Sequence, residues 1–377
     1  MAITTVVIDP QGDTLIVLPH ATEPDDADIS PKTEDDPLDT DGHDPKEHAP
    51  CLKQDADATH FKVSKKHLAL ASPRAQAMFA GGFQESIPKE DGFCHWNFEP
   101  IFDPEAFEII MNIIHGKSRS LPLKIEFEML ACIATVVDDL QCHEAVWFVA
   151  KKWLNDIRKR IPSVICKDLA SWILISYVFD EPKIFTASTQ SAILRSDGPM
   201  PTFDLPIRPH IIDEIDRYRQ EDLESLINHV HDLISRLCRK EIGCDYGCRS
   251  IMLGALLQGL SSGMMYSPRP SKPFLGLSVH STLETLRSIE SPDYFCADES
   301  HNRPRESWQY SEDRYSDGPS TFKTRKPGST IEGNNKVSGI PRQLVYHSCS
   351  LKELLEPEVN NISRQGVGLS LEEYINL

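Results

Sequence analysis

The sequence contains no long apolar run. Its longest largely apolar stretch, Ile173 to Phe179, is far short of the roughly 20 residues a helix needs to cross a bilayer, so no membrane association is expected. The first twenty residues lack a positive n-region and carry Asp9 and Asp13 within a strand-like pattern, which is not a secretory signal. Basic residues are also in short supply: 39 Lys and Arg stand against 57 Asp and Glu, a net charge of -18 over 377 residues. With no local basic stripe, the chain lacks the cationic surface that displaces phosphate counterions, and nucleic acid is not an expected partner.

Signatures of catalysis are missing too. There is no Gly-x-Ser-x-Gly elbow and no Gly-x-x-x-x-Gly-Lys loop, and Gly366-Val367-Gly368 lacks both the third glycine and the preceding strand of a dinucleotide fingerprint. His143-Glu144 resembles the start of a zincin helix, but Trp147 occupies the place of the second histidine. An enzyme is therefore not expected, and no internal repeat is found.

What the sequence does contain is sharply partitioned. Two short strands, Thr4 to Ile8 and Thr14 to Leu18, are divided by the turn-forming Asp9-Pro10-Gln11-Gly12. Between His20 and His60 there are 13 acidic and 3 basic residues, too little apolar surface to offset the entropy of ordering, so this insert is expected to be disordered. It supplies more than half of the net charge and leaves the rest of the chain only mildly acidic.

Patterned sequence resumes with a strand at Phe61 to Val63 and continues at Leu68 to Ala71. Ser72-Pro73 then caps a helix running through Phe79 and closed by Gly81-Gly82. Phe93 to Phe98 reads as a strand with Cys94, Trp96 and Phe98 on one face. Asp103-Pro104-Glu105 opens a helix whose Phe107, Ile110, Met111 and Ile114 make one stripe, with Gly116 to end it. Helices are predicted over about Glu126 to Gln141, Glu144 to Arg160, Leu169 to Phe179, Pro182 to Arg195, Pro209 to Arg239 and Arg249 to Leu260. In the long one, Ile211, Ile215, Tyr218, Leu226, Val230, Leu233 and Leu237 keep core-facing spacing. Residues 297–342, with 7 acidic and 8 basic side chains and few aliphatics, are expected to form a second disordered insert. Ser350 to Leu377 regains apolar residues and reads as one docked helix.

Without an export signal, the ten cysteines are read as reduced thiols of a cytoplasmic or nuclear protein. Cys244 and Cys248 flank a helix start, and Cys238, Cys296, His347 and Cys349 lie elsewhere. Four such ligands could close a tetrahedral zinc site, making the chain a zinc-dependent regulator. The spacing is looser than a Cys-x-x-Cys pair, so ordinary burial of small thiols is the simpler expectation, and no cofactor is assigned.

The segment Phe61-Lys62-Val63-Ser64-Lys65-Lys66-His67-Leu68-Ala69-Leu70-Ala71-Ser72-Pro73, followed by Ala77-Met78-Phe79-Ala80-Gly81-Gly82-Phe83-Gln84-Glu85-Ser86, resembles the BTB/POZ domain. Asp103 to Phe107 and Leu140 to Val146 look like that family's third-helix start and last helical pair, and the whole chain is similar to fungal BTB-domain proteins. The resemblance implies an α+β fold, a small sheet flanked by a helical cluster, followed by a mostly α-helical domain. Asp13 to Leu18 would be the first core strand and Phe61 to Val63 its hairpin partner, making the acidic insert an enlarged hairpin loop. The implied organisation is a BTB unit over 1–160 with the insert at about 20–60, a helical domain over 161–295, a disordered insert over 296–345, and a C-terminal helix over 346–377 docked on the helical domain.

For function, the resemblance implies a non-enzymatic scaffold or adaptor that self-associates or binds protein partners. Only about ten residues precede the first core strand, which argues against extensive strand swapping and leaves the helical surface for a homodimer. Many members recruit a cullin scaffold of ubiquitin ligases through a hydrophobic-x-glutamate motif, which Phe83-Gln84-Glu85 matches. In such a contact Phe83 would fill a pocket and Glu85 would add a charge-assisted hydrogen bond. Otherwise Phe83 packs on its own domain and Glu85 is solvated.

Overall fold

A computed structural model describes residues 4–19, 58–157, 159–293, 295–297, 344–346 and 349–374. The described residues form a mixed α and β structure with a four-stranded sheet, a two-stranded sheet and eleven α-helices. Both expected disordered inserts fall almost wholly outside them. None of the described helices is long and apolar enough to cross a membrane. The chain divides into two compact units, one comprising residues 1–224, 271–281 and 362–377, the other residues 225–270 and 282–361.

In the first unit, β1 (Thr4–Val7), β2 (Thr14–Pro19), β3 (Ala58–Val63) and β4 (Cys94–Asn97) form a sheet in the order β1-β3-β2-β4. The expected hairpin is present: β2 and β3 are antiparallel from Thr14 opposite Val63 to Pro19 opposite Ala58. Residues 20–57 connect its two strands. β4 runs parallel to β2 on the other side. β1 and β2 do not pair with each other, because β3 lies between them and β1 joins it in parallel. The Asp9–Gly12 turn carries the chain past the end of β3, and Gly12 is needed there, since a methyl group on it would fall 2.5 Å from the Val63 carbonyl oxygen. Alternation then selects the core: Ile16, Leu18, Phe61, Val63 and Trp96 all face inward and are buried.

Helices cover that face. α1 (Lys65–Ala71) ends at Ser72, whose hydroxyl accepts the Ala75 N–H at 3.0 Å and caps α2 (Pro73–Ala80). Asp103 likewise caps α3 (Pro104–Ile114) by accepting the Ala106 N–H at 2.8 Å, and Gly116 follows with φ +70°. The α3 stripe meets the sheet through aromatic contacts, Phe61 with Phe107 at 5.3 Å and Phe98 with Phe107 at 5.2 Å between ring centres. α4 (Phe127–Leu140) and α5 (His143–Asp156) follow near their predicted positions.

The border expected at residue 160 falls inside this unit. α6 (Lys167–Val178) is buried on nearly every side, from Leu169 to Val178, and the Trp172 ring lies 4.7 Å from that of Phe127 in α4. Such a helix has no solvent face and must be central to a core. Arg208 also reaches back to Asp138 at 2.8 Å, and α7 (Pro182–Arg195) is covered by the chain end. There Leu369 N–H donates to Thr189 Oγ1 at 2.9 Å, Thr186 Oγ1 donates to Leu369 O at 3.0 Å, and Tyr374 lies against Phe185 and His210. The C-terminal stretch is therefore one helix plus this separate strap.

α8 (Pro209–Cys238) supplies residues to both units. Its expected stripe is buried at Ile211, Ile215, Leu226, Val230, Leu233 and Leu237, whereas Tyr218 is 37% exposed. The next residue, Arg219, is fully buried instead. It donates to Asp216 at 2.8 Å and to the carbonyls of Pro273, Phe274 and Leu277 at 2.6, 3.1 and 3.1 Å. This shifts the inward face by one residue, a choice that apolar spacing alone does not reveal.

The second unit comprises the last part of α8, α9 (Tyr246–Ser262), α10 (Val279–Ser288) from Thr282 onward, and α11 (Leu351–Gln365) up to Asn361. Leu226, Val230, Met252, Leu256, Leu286, Leu355 and Val359 are buried in it. β5 (Phe295–Ala297) and β6 (Leu344–Tyr346) pair antiparallel. Ser225 Oγ donates to Glu358 at 2.5 Å and His229 Nε2 lies 2.9 Å from Leu354 O. α10 was not anticipated from the sequence.

Candidate functional site

Among the described residues, one group of side chains has the chemistry of a metal-ligand set: the sulfurs of Cys244, Cys248 and Cys349 all lie within 4.8 Å of one another. Local capping places them. Asp245 is the N-cap of α9 and accepts the Cys248 N–H at 2.7 Å, fixing Cys248 in the first turn and Cys244 just before the helix. Ser350 accepts the Glu353 N–H at 3.3 Å at the start of α11, so Cys349 likewise sits just outside a helix N-terminus. The three thiols thus meet where two helices begin, each with its partial positive charge.

Their surroundings are unequal. Cys248 is buried, Cys349 is intermediate and Cys244 is exposed. Burial pushes the Cys248 thiol up to about 12, helped by the neighbouring thiols of Cys244 and Cys349. Met252, one helical turn beyond Cys248, places its sulfur 3.5 Å from Cys248 Sγ. The sequence does not single out Met252, because the helix predicted there begins at Arg249 and leaves Cys248 outside it, whereas α9 holds both residues one turn apart. Of the other expected ligands, Cys296 sits in β5, where only the backbone is described, and His347 lies outside the described residues. Cys238 is exposed and not part of the cluster. Two other described thiols fit ordinary packing: Cys94 and Cys142 are buried, and burial raises Cys142 to about 12 as well.

The second candidate is the corner after α2. Gly82, at φ +69°, turns the chain, and a short 3-10 turn at Gln84–Ser86 is pinned by Ser86 Oγ donating to Phe83 O at 2.6 Å. Phe83 remains 58% exposed although its ring leans over Gly81, where a methyl group would fall 2.4 Å from Cε2. Glu85 is half-buried and Ile87 is 58% exposed. The Phe83 side chain thus combines the two expected behaviours, resting on its own domain while offering most of its surface to solvent.

A further apolar exposure was missed. On α5, Val146, Ala150 and Trp153 turn inward, while Trp147 and Phe148 are 51% and 75% exposed. Comparison of the chain with family models, curated proteins and solved structures found no match.

Proposed function

We propose that the chain is a non-enzymatic interaction protein, a scaffold or adaptor whose strand-rich segment is a BTB/POZ-type unit. The observation that carries this reading is the solvent-exposed corner of Phe83 and Ile87 flanking Glu85, an apolar pair with an acid between them. Large apolar side chains left in water at a rigid turn are suited to anchoring in a partner's pocket, and the acid can fix register. The hairpin of β2 and β3, with β4 parallel to β2 and helices α3 to α5 following, supports the BTB part of the reading. Partners are other proteins, a second copy of the chain included, in the cytoplasm or nucleus.

A narrower reading, favoured by the Phe-x-Glu sequence at this corner, is that the partner is a cullin scaffold and the chain a substrate adaptor. Pull-down from cell extract with the full chain, together with light scattering, tests both levels. Wild type should recover a defined protein partner or form a dimer, and Phe83→Ala with Glu85→Ala should abolish the heterotypic recovery. Recovery of cullin sensitive to the double substitution supports the adaptor reading. A monomer with no specific partner refutes the proposal at both levels, and undiminished recovery by the double variant refutes the role of this corner.

A further inference from the structure

From the thiol cluster we infer that Cys244, Cys248 and Cys349 bind one soft divalent ion of the zinc class as three thiolates, joining the start of α9 to the start of α11. A tetrahedral zinc with bonds of about 2.3 Å sets its sulfurs roughly 3.8 Å apart. The three sulfurs already lie within 4.8 Å of one another, so side-chain adjustment of an ångström or less closes the site.

Neither ordinary packing nor a disulfide fits the cluster as well. Packing gathers thiols by burying them, yet Cys244 is exposed and still turns its sulfur toward the other two. A disulfide would use two of the three sulfurs and strand the third. A thiolate site uses all three, and the two helix N-termini favour the negative sulfurs that it requires. Binding releases the thiol protons to solvent and exchanges them for the ion, a step that the metal must drive against the burial of Cys248. Sulfur donors select zinc and similar soft ions over magnesium or calcium. The exposed side of the cluster, at Cys244, is where a fourth donor or water would complete the coordination.

The arrangement would act as a clamp. Cys248 and Cys349 are separated by about a hundred residues of chain, which include residues 298–343, and cross-links that close long loops recover the most chain entropy. The metal is thus expected to be structural in the second unit, independent of partner binding at Phe83.

The test uses the full chain, purified with reductant and without chelator. Elemental analysis should find about one zinc per chain. After zinc is removed under reducing conditions, titration with cobalt(II) should give a thiolate-to-cobalt charge-transfer band that saturates near one equivalent and is abolished by zinc. Cys244→Ser, at an exposed position, should weaken cobalt binding by at least about ten- to hundredfold, while Cys238→Ser should leave it unchanged. Adding zinc back to the wild type should raise the thermal midpoint. Should a cysteine variant fail to fold, the wild-type cobalt spectrum still decides the matter. Absence of both zinc and the charge-transfer band in the reduced chain overturns the proposal, as does full metal binding by both Cys244→Ser and Cys349→Ser.

Discussion

Arg217 and Arg219 stand two residues apart on α8, and replacing each should have very different consequences. Arg219 is fully buried and holds Asp216 and three backbone carbonyls. Arg219→Met keeps much of the volume and removes every donor. Breaking a buried charged pair costs roughly 3–5 kcal/mol, and two contacts place this case near the lower end. Phe274 O still accepts the Leu277 N–H at 3.2 Å, and Asp216 keeps the Gln220 side-chain amide at 2.6 Å. The expected loss is therefore about 3 kcal/mol, a shift of about 1 M in urea midpoint for a slope near 3 kcal/mol/M. Arg217 makes more ion-pair contacts, to Glu214 and Glu221, but its side chain is 44% exposed. In water such pairs contribute at most about 1 kcal/mol, so Arg217→Ala should move the midpoint by a third as much or less. Tryptophan fluorescence during urea unfolding is a suitable assay, because Trp96, Trp147, Trp153 and Trp172 all belong to the same unit as both arginines. Equal midpoints for the two variants would refute the idea that burial, not the number of contacts, sets the value of these charges.

Two other perturbations probe the same unit. His115 Nε2 accepts the Ser64 N–H at 3.0 Å while its Nδ1 lies 2.8 Å from Met111 O, so the fold requires a neutral ring, and burial lowers its pKa from the ordinary 6.5. A lowered histidine contributes stability that is full above pH 6.5 and is lost as pH falls through the folded-state value. The stability difference between wild type and His115→Gln should accordingly shrink from pH 7.5 toward pH 5 (about the range over which histidine titrates). A difference that is constant or grows in acid would rule out this role; taking the difference cancels His143, also lowered by burial, and Asp138 and Asp139, raised by it. In the C-terminal strap, a methyl group at Gly368 would fall 1.7 Å from Thr186 O, whereas one at Gly254 in α9 meets nothing within 4 Å. Gly368→Ala should destabilise by roughly 1–3 kcal/mol or more, and Gly254→Ala should stabilise by about 0.5–1 kcal/mol, as thermal unfolding followed by circular dichroism would show; the same sign for both would contradict the packing around Thr186.

Several elements were readable from residues close together in the chain. Ser72 before Pro73 and Asp103 before Pro104 cap the helices that they announce, and the Phe107, Ile110, Met111 and Ile114 stripe faces the core. Pro182–Arg195 was found with both ends in place. α10 has helical spacing in Val279, Leu283 and Leu286, all buried, but it is only ten residues long and follows a proline-rich connection that hides its start. At the thiol site, the helix start at Asp245 marked two ligands, but nothing local ties Cys349 to them. At the Phe83 corner the residues are legible in the sequence, while their exposure follows from what the rest of the chain leaves uncovered.

By itself, then, the sequence determined the local pieces: strand alternation, caps, helix stripes and the concentration of negative charge between His20 and His60. These depend on backbone preferences and on neighbours within a turn or two. Only the tertiary structure decided that β3 separates β1 from β2, that α6 joins the strand-bearing unit across residue 160, that Arg219 rather than Tyr218 turns inward, and that Cys349 reaches Cys244 and Cys248. Each of these turns on which distant surfaces and buried polar groups satisfy one another, an outcome settled when the chain closes upon itself.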